Sequence, residues 1–435
     1  MRAIVSAISL RRRPRRSRLP AVILAVLLAV VGSPTPAAAA SNDLDASVIV
    51  DWNRLAVAAL QAEPDIPGPS AFIYLGFIHA AIYDAVVGVA GRYTPYRFTE
   101  RAPAGASARA AAVAAAHQVL ATYAPHAQLD AAYSTSLAQI PDGQSKTDGL
   151  AYGTRVAEDL IAARATDGRN APILFTELPG PGVWRPTAPA FAPFLTPWAG
   201  FVTPLLVRSG AQFGDPGPPP ALTSNRYTRD FIEVKSLGSK DSTERTAEQT
   251  ATALFYSGNA VLQFNDGLRG QVALRHLDLV DAARLFAAVD MSQADTFISV
   301  WYAKYKYGFW RPDTAIQLAD TDGNPATIAD PTWTPLGPNP PYPDWVSGYS
   351  AQGGAYSTVL GEILQTADLN VTLISTAVFG ASRTYHSGAA LRDDIVNGRM
   401  WLGVHYRSAD EEGAQMGQQI ARWALSHYFK PIEDD

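Results

Sequence analysis

The chain has no cysteine. Disulfides, thiolate metal sites and cysteine nucleophiles are therefore excluded. It also lacks any excess of positive charge, with 35 Lys and Arg against 40 Asp and Glu for a net charge of −5. That balance gives no support to a nucleic-acid partner, so an anion site would have to be a local concentration of basic residues. Charged residues make up only 17% and hydrophobic ones 47%, so a chain of 435 residues can bury a large core. No alternating apolar–polar run is long enough to build a sheet, and no internal repeat is evident.

The first forty residues read as an export signal. Arg11 to Arg18 form a basic region, residues 21–31 an apolar run too short for a comfortable membrane span, and Ala38-Ala39-Ala40 a small-residue cleavage site before Ser41. The expectation is a secreted protein, extracellular or in the cell envelope, without a membrane segment after cleavage; a retained anchor is the alternative. Residues 41–435 then form a single all-helical domain, whose motif-bearing core covers about 290–428.

Within that domain, residues 47–165 read as helical. Residues 71–89 are apolar nearly all round, as in a helix buried among others. They include His79 and Asp84, and nothing reactive is spaced with His79, so it reads as a satisfied core histidine. Residues 104–123 and 145–163 are Ala-rich and helix-prone. Residues 171–224 are dominated by proline and aromatics, which disfavours long helices and predicts an irregular arm, either wrapping the helical body or walling a cavity. Helical patterns resume over 246–256, 267–286 and 291–307. The predicted fold class is all-α, with helices bundled around a buried site and a long Pro-rich irregular arm.

Three short segments concentrate chemistry. Lys304 and Arg311 are seven residues apart, a spacing that on one helix sends both side chains from the same face, with Pro312 marking the helix end. Pro-rich extension from Asn339 gives way at Ser347 and Gly348 to a helical pattern, so Ser347 is a plausible N-cap whose neighbouring free N–H groups can seat an anion. Arg399 and His405 are six apart, which puts them on different faces of a helix unless it bends near Gly403 or Arg399 reaches round. If Lys304, Arg311 and Arg399 converge, each pair about 4 Å apart repels by roughly 4 kcal/mol at an effective dielectric of about 20. Such a cluster requires a neutralising carboxylate or bound oxyanion, and guanidinium forks suit phosphate-like geometry.

In order and spacing these segments resemble those of the vanadium-dependent haloperoxidases and the related type-2 phosphatidic acid phosphatases. That superfamily carries Lys-x6-Arg-Pro, Pro-Ser-Gly-His and Arg-x5-His; here they stand as Lys304–Arg311–Pro312, Val346-Ser347-Gly348-Tyr349 and Arg399–His405. The close resemblance covers about the last third of the chain, and the export signal and helical first half also resemble secreted bacterial haloperoxidase-like proteins. It implies bundled helices and an orthovanadate held by Lys304, Arg311, Arg399, Ser347 and the Gly348 amide, with His405 as the metal ligand. Phosphate would fit the same place. Trp301 and Tyr342 align with aromatic positions lining the halide pocket. Hydrogen peroxide and a halide or small organic molecule are the implied substrates, and an oligomer is compatible with the pattern. In the phosphatases the matching histidine is instead the nucleophile.

Two departures bear on activity. The family's acid–base histidine is here Tyr349, and a phenol titrates near pH ~10, so it exchanges protons poorly at neutral pH. The phosphatase carboxylate four residues after the second histidine is replaced by Ala409, with Asp410 and Glu411 just beyond, so the group orienting His405 is not apparent. His386 is an alternative proton donor or a surface residue. The expectation is a vanadate-dependent haloperoxidase weakened at residue 349; an acid phosphatase using His405, or an oxyanion-binding protein without turnover, are the alternatives.

Overall fold

The computed structural model describes residues 43–432; the export signal read in residues 1–40 lies outside them. Among the described residues thirteen α-helices follow in order: α1 (Ser47–Ala62), α2 (Ala71–Ala90), α3 (Ala108–Tyr123), α4 (Leu129–Ala138), α5 (Gln144–Ala163), α6 (Asn225–Leu237), α7 (Ala247–Phe255), α8 (Ala260–Arg275), α9 (Leu279–Tyr307), α10 (Pro312–Gln317), α11 (Gly348–Ile363), α12 (Gly388–Trp401) and α13 (Arg407–His427). The all-α expectation holds.

The central element is α9, 29 residues long. The Asp278 carboxylate caps it by accepting the N–H groups of Val280 and Asp281 at 3.0 and 2.9 Å, and Gly308 at φ 51° ends it in the left-handed conformation. On one side it packs against α2 and on another against α11. Helix α2 is long and apolar enough to cross a membrane, but its apolar surface is taken up by neighbouring helices. The α11–α13 contact depends on missing side chains. A Cβ on Gly413 would stand 2.4 Å from the Ser347 carbonyl oxygen, and one on Gly417 would stand 1.9 Å from that of Ala351.

Several boundaries differ from the sequence pattern. The helical reading of 267–286 and 291–307 put a break near residue 288, whereas α8 ends at Arg275 and α9 runs unbroken from Leu279. The true break is His276 at φ 51° followed by the Asp278 cap, a local conformation that leaves the apolar periodicity intact. The stretch 91–107 is irregular, tethered where the Asp84 carboxylate accepts the N–H groups of Tyr96, Arg97 and Phe98 at 2.6, 2.9 and 2.8 Å. A small antiparallel sheet is also present, β1 (Val371–Ile374) paired with β2 (Ser382–Tyr385). Strands of four residues are too short for an alternation signal.

His79 is a core residue, as expected. It is buried, its Nε2 lies 3.1 Å from Asn53 Nδ2, and burial lowers its pKa to about 3. The Pro-rich arm, 171–224, contains no α-helix and wraps the motif-bearing segments from outside. The Trp184 N–H donates to the Gly308 carbonyl at 2.6 Å, the Trp310 N–H to that of Gly182 at 3.0 Å, and the Leu195 N–H to that of Pro341 at 2.9 Å. No arm residue lines the central cavity. It braces the site instead of covering it.

Candidate active site

Lys304 and Arg311 reach the same place without sharing a helix, contrary to the spacing argument. Lys304 is in the last turn of α9; Gly308 ends that helix, and Arg311 is extended, at φ −84° and ψ 161°, with Pro312 opening α10. Both are fully buried. Lys304 Nζ donates to the carbonyls of Pro343 and Asp344 at 2.6 and 2.9 Å. Arg311 donates through Nε to Tyr342 O at 2.8 Å and through Nη1 to Val404 O at 2.6 Å. One guanidinium thus ties together all three chemistry-bearing segments. Lys304 Nζ and Arg311 Cζ each lie 5.1 Å from the centre of the Tyr342 ring, a cation–π arrangement that also holds the ring.

Arg399 and His405 likewise do not share a helix. Helix α12 ends at Trp401, Gly403 turns the chain at φ 82°, and His405 lies in the short connection before α13. A Cβ on Gly403 would come 2.3 Å from the Gly238 carbonyl oxygen, so both backbone conformation and space select glycine. His405 is buried, and its Nδ1 lies 2.6 Å from Asp344 Oδ1. Burial first, then the positive charges of Arg311, Lys304 and Arg399, push the imidazole pKa far below its ordinary value. Nδ1 is engaged by Asp344, so Nε2 is the ring nitrogen that a ligand would take.

Asp344, not a residue that follows His405 in the chain, is the carboxyl group that orients it. Burial raises its pKa to about 8 against the opposing pull of Arg311 and Lys304. Asp410, one of the residues considered for that role, does something else. It is buried, accepts the Ser350 hydroxyl at 2.7 Å, and is raised by burial to about 7. Glu411 is exposed. The Ser347 N–H donates to Ala409 O at 2.9 Å, which seats the start of α11 on α13. Ser347 is the N-cap residue, yet its hydroxyl does not cap the helix.

Two of the three basic side chains leave donors without partners. Arg311 Nη2 and Arg399 Nε are buried and unpaired, as is Asp344 Oδ2. Burial, reinforced by Arg311, also drives the Lys304 pKa far down. Buried, under-satisfied positive groups of this kind fit a multiply charged tetrahedral oxyanion, which supplies both the charge and the acceptors.

A cavity of about 350 Å³ opens onto this cradle, lined among others by Gly348, Tyr349, Arg399 and His405. Trp301 and Tyr342 are in its wall, as read from the sequence, their ring centres 4.8 Å apart. The Tyr349 hydroxyl donates to Gln263 Oε1, its ring lies 5.3 Å from the Arg399 guanidinium carbon, and burial raises its pKa. His386 stands apart, exposed, with Nδ1 2.9 Å from the Asp368 carboxylate.

The site is thus a buried cluster of Lys304, Arg311 and Arg399 with a histidine engaged by Asp344, enclosed by bundled helices. Residues 284–434 match the family model of the VCPO second helical-bundle domain. Over 411 residues the chain is 25% identical to the vanadium chloroperoxidase of Curvularia inaequalis, covering 74% of this chain and 66% of that protein, just under two thirds of the relative's length. The fold is similar to that of a bacterial vanadium-dependent iodoperoxidase, with a TM-score of 0.74 at 20% identity over 89% of this chain and 98% of the other. It is also similar to the holo form of a bacterial vanadium-dependent chloroperoxidase, with a TM-score of 0.66 at 16% identity over 84% and 93% of the two chains. The match of residues 284–434 lies in the part of the chain that carries the site, and the chain has the vanadium haloperoxidase fold.

Proposed function

We propose that this chain is a secreted haloperoxidase that binds vanadate and oxidises halide with hydrogen peroxide. The observation that carries the reading is His405, a buried imidazole engaged through Nδ1 by Asp344 beside three buried basic side chains, Lys304, Arg311 and Arg399. Vanadate, when bound, would act as the Lewis acid that activates peroxide toward halide. Lys304, Arg311, Arg399, Ser347 and the Gly348 amide are the residues that would hold it, with His405 Nε2 as its protein ligand. The unpartnered Arg311 Nη2 and Arg399 Nε supply directed hydrogen bonds to an oxyanion without reorganising. In its ionised form, which the charges of Arg311 and Lys304 favour, Asp344 would accept the His405 Nδ1–H and leave the Nε2 lone pair available. Trp301 and Tyr342 form an aromatic wall beside the cradle. Tyr349, committed to Gln263, holds Arg399 in place and does not supply protons, which makes slow halide oxidation the expected behaviour.

The same buried histidine suits a nucleophile in phosphoryl transfer, so the test has two arms. The purified protein is assayed for bromide or iodide oxidation with peroxide, with and without orthovanadate, and for aryl-phosphate hydrolysis without it. Orthovanadate-dependent halide oxidation supports the proposal. Vanadate-inhibited hydrolysis alone replaces it with a phosphatase, and tight oxyanion binding with neither activity replaces it with a binding protein.

A further inference from the structure

Arg399 lines the cavity together with His405, yet it is held from behind. Its Nη1 donates to the Tyr256 carbonyl at 2.8 Å, and among the described residues no other hydrogen bond fixes the guanidinium. The Tyr349 ring lies beside it, 5.3 Å from Cζ, without a directed bond. Arginine loses much rotamer freedom when it grips an anion, and a tether that removes part of that freedom beforehand strengthens binding.

The tether is itself fixed from outside the cavity. Tyr256 follows the last residue of α7 and is fully buried, with its ring against α12: a Cβ on Gly398 would stand 2.9 Å from Tyr256 Cδ2. Its hydroxyl meets that of Tyr385 on β2. The Tyr385 hydroxyl donates to Asp394 Oδ2 at 2.6 Å, and Arg383 Nη1 donates to the same oxygen at 2.9 Å. A phenol has one proton. Tyr385 gives it to the carboxylate, so in the hydroxyl pair Tyr256 is the donor. Arg383 Nη2 also donates to Glu248 Oε1 of α7 at 2.8 Å, which ties the hairpin to the helix that Tyr256 ends. Asp394 and Arg399 both belong to α12, so this chain of contacts leaves that helix at residue 394 and returns to it at residue 399.

We propose that Tyr385 and Asp394 are positioning residues for Arg399: through Tyr256 they hold its guanidinium where an oxyanion meets it. Neither lines the cavity. The proposal rests on the reading of Lys304, Arg311 and Arg399 as an oxyanion cradle, and it adds to that cradle a support from the β1–β2 hairpin. Without the Tyr385 hydroxyl, Tyr256 loses its acceptor, and a buried hydroxyl without a partner is unfavourable. The residue moves to regain one, and its carbonyl moves with it, away from Arg399 Nη1.

The test is calorimetric titration of the full protein with inorganic phosphate, without vanadate, peroxide or halide. Tyr385→Phe keeps the ring and removes the hydroxyl; phosphate affinity should fall about tenfold, the scale of one hydrogen bond to a charged group. In an Arg399→Gln background the same substitution should change affinity by less than about twofold, because residues that act through one another are not additive. Asp394→Asn keeps an oxygen for the Tyr385 hydroxyl and should stay within about threefold of wild type, whereas Asp394→Leu should match Tyr385→Phe. Wild-type affinity in Tyr385→Phe, an equal loss in both Arg399 backgrounds, or equal losses in the two Asp394 variants would overturn this proposal alone. The Asp394 pair decides the matter if Tyr385→Phe does not fold. A wild-type protein that binds no phosphate, or an Arg399→Gln variant that binds it as tightly as wild type, would refute the cradle reading and the proposal with it.

Discussion

Asp344 Oδ1 lies 2.6 Å from His405 Nδ1, joining residues 61 positions apart in the chain. The same residue's backbone carbonyl accepts Lys304 Nζ at 2.9 Å, so Asp344 organises both the histidine and one of the cations. Asp344→Asn keeps the volume but removes the carboxylate, and partners of this kind are typically worth ~10–100-fold in metal affinity or activity. The expected result is a loss of that size in vanadate affinity, read by equilibrium dialysis, with the far-UV circular dichroism unchanged. An unaltered affinity would show that His405 needs no orienting group.

Oxyanion binding should take up protons. Without an anion, Lys304 and His405 are held far below their ordinary pKa values by burial and by neighbouring positive charge. A bound anion raises both, and each change favours the protonated form. Sulfate has no titration of its own near neutrality, so it isolates the effect. Calorimetry in two buffers of different ionisation enthalpy should report net proton uptake, with tighter binding at pH 6 than at pH 8. Proton release would contradict the sign.

Tyr349 separates holding from proton transfer. Its hydroxyl is committed to Gln263 and its ring to Arg399, so Tyr349→Phe should change kcat by less than about tenfold. Loss of a true general acid would cost ~10²–10⁴-fold. Tyr349→His introduces a group titrating near neutrality and should raise kcat for halide oxidation. If the phenylalanine variant falls by the larger factor, the phenol itself is the acid.

The seat of Ser347 depends on Gly413, where an added Cβ would lie 2.4 Å from the Ser347 carbonyl oxygen. Backbone cannot give way as a flexible side chain would, so Gly413→Ala should destabilise the fold by about 1–3 kcal/mol. Thermal unfolding measures the loss. A bound oxyanion should recover part of it by mass action.

The helical class was legible because apolar residues such as those of α2 and α9 recur throughout the chain, and because Asp278 and Gly308 punctuate a helix by local chemistry. The composition of the arm foretold its irregularity, and the order of Lys304, Arg311, Ser347, Arg399 and His405 pointed to one oxyanion. How these residues meet was decided elsewhere. Lys304 with Arg311, and Arg399 with His405, are each separated by a helix end and a left-handed glycine, Gly308 and Gly403, so same-helix angles did not describe them. Asp344, Gln263 and Ser350 became meaningful only once distant segments were in contact. Periodicity and capping act over a few residues and can be read along the chain. The state of a buried imidazole depends on which charges and carbonyls lie within a few ångströms of it, and packing brings those together from across the sequence.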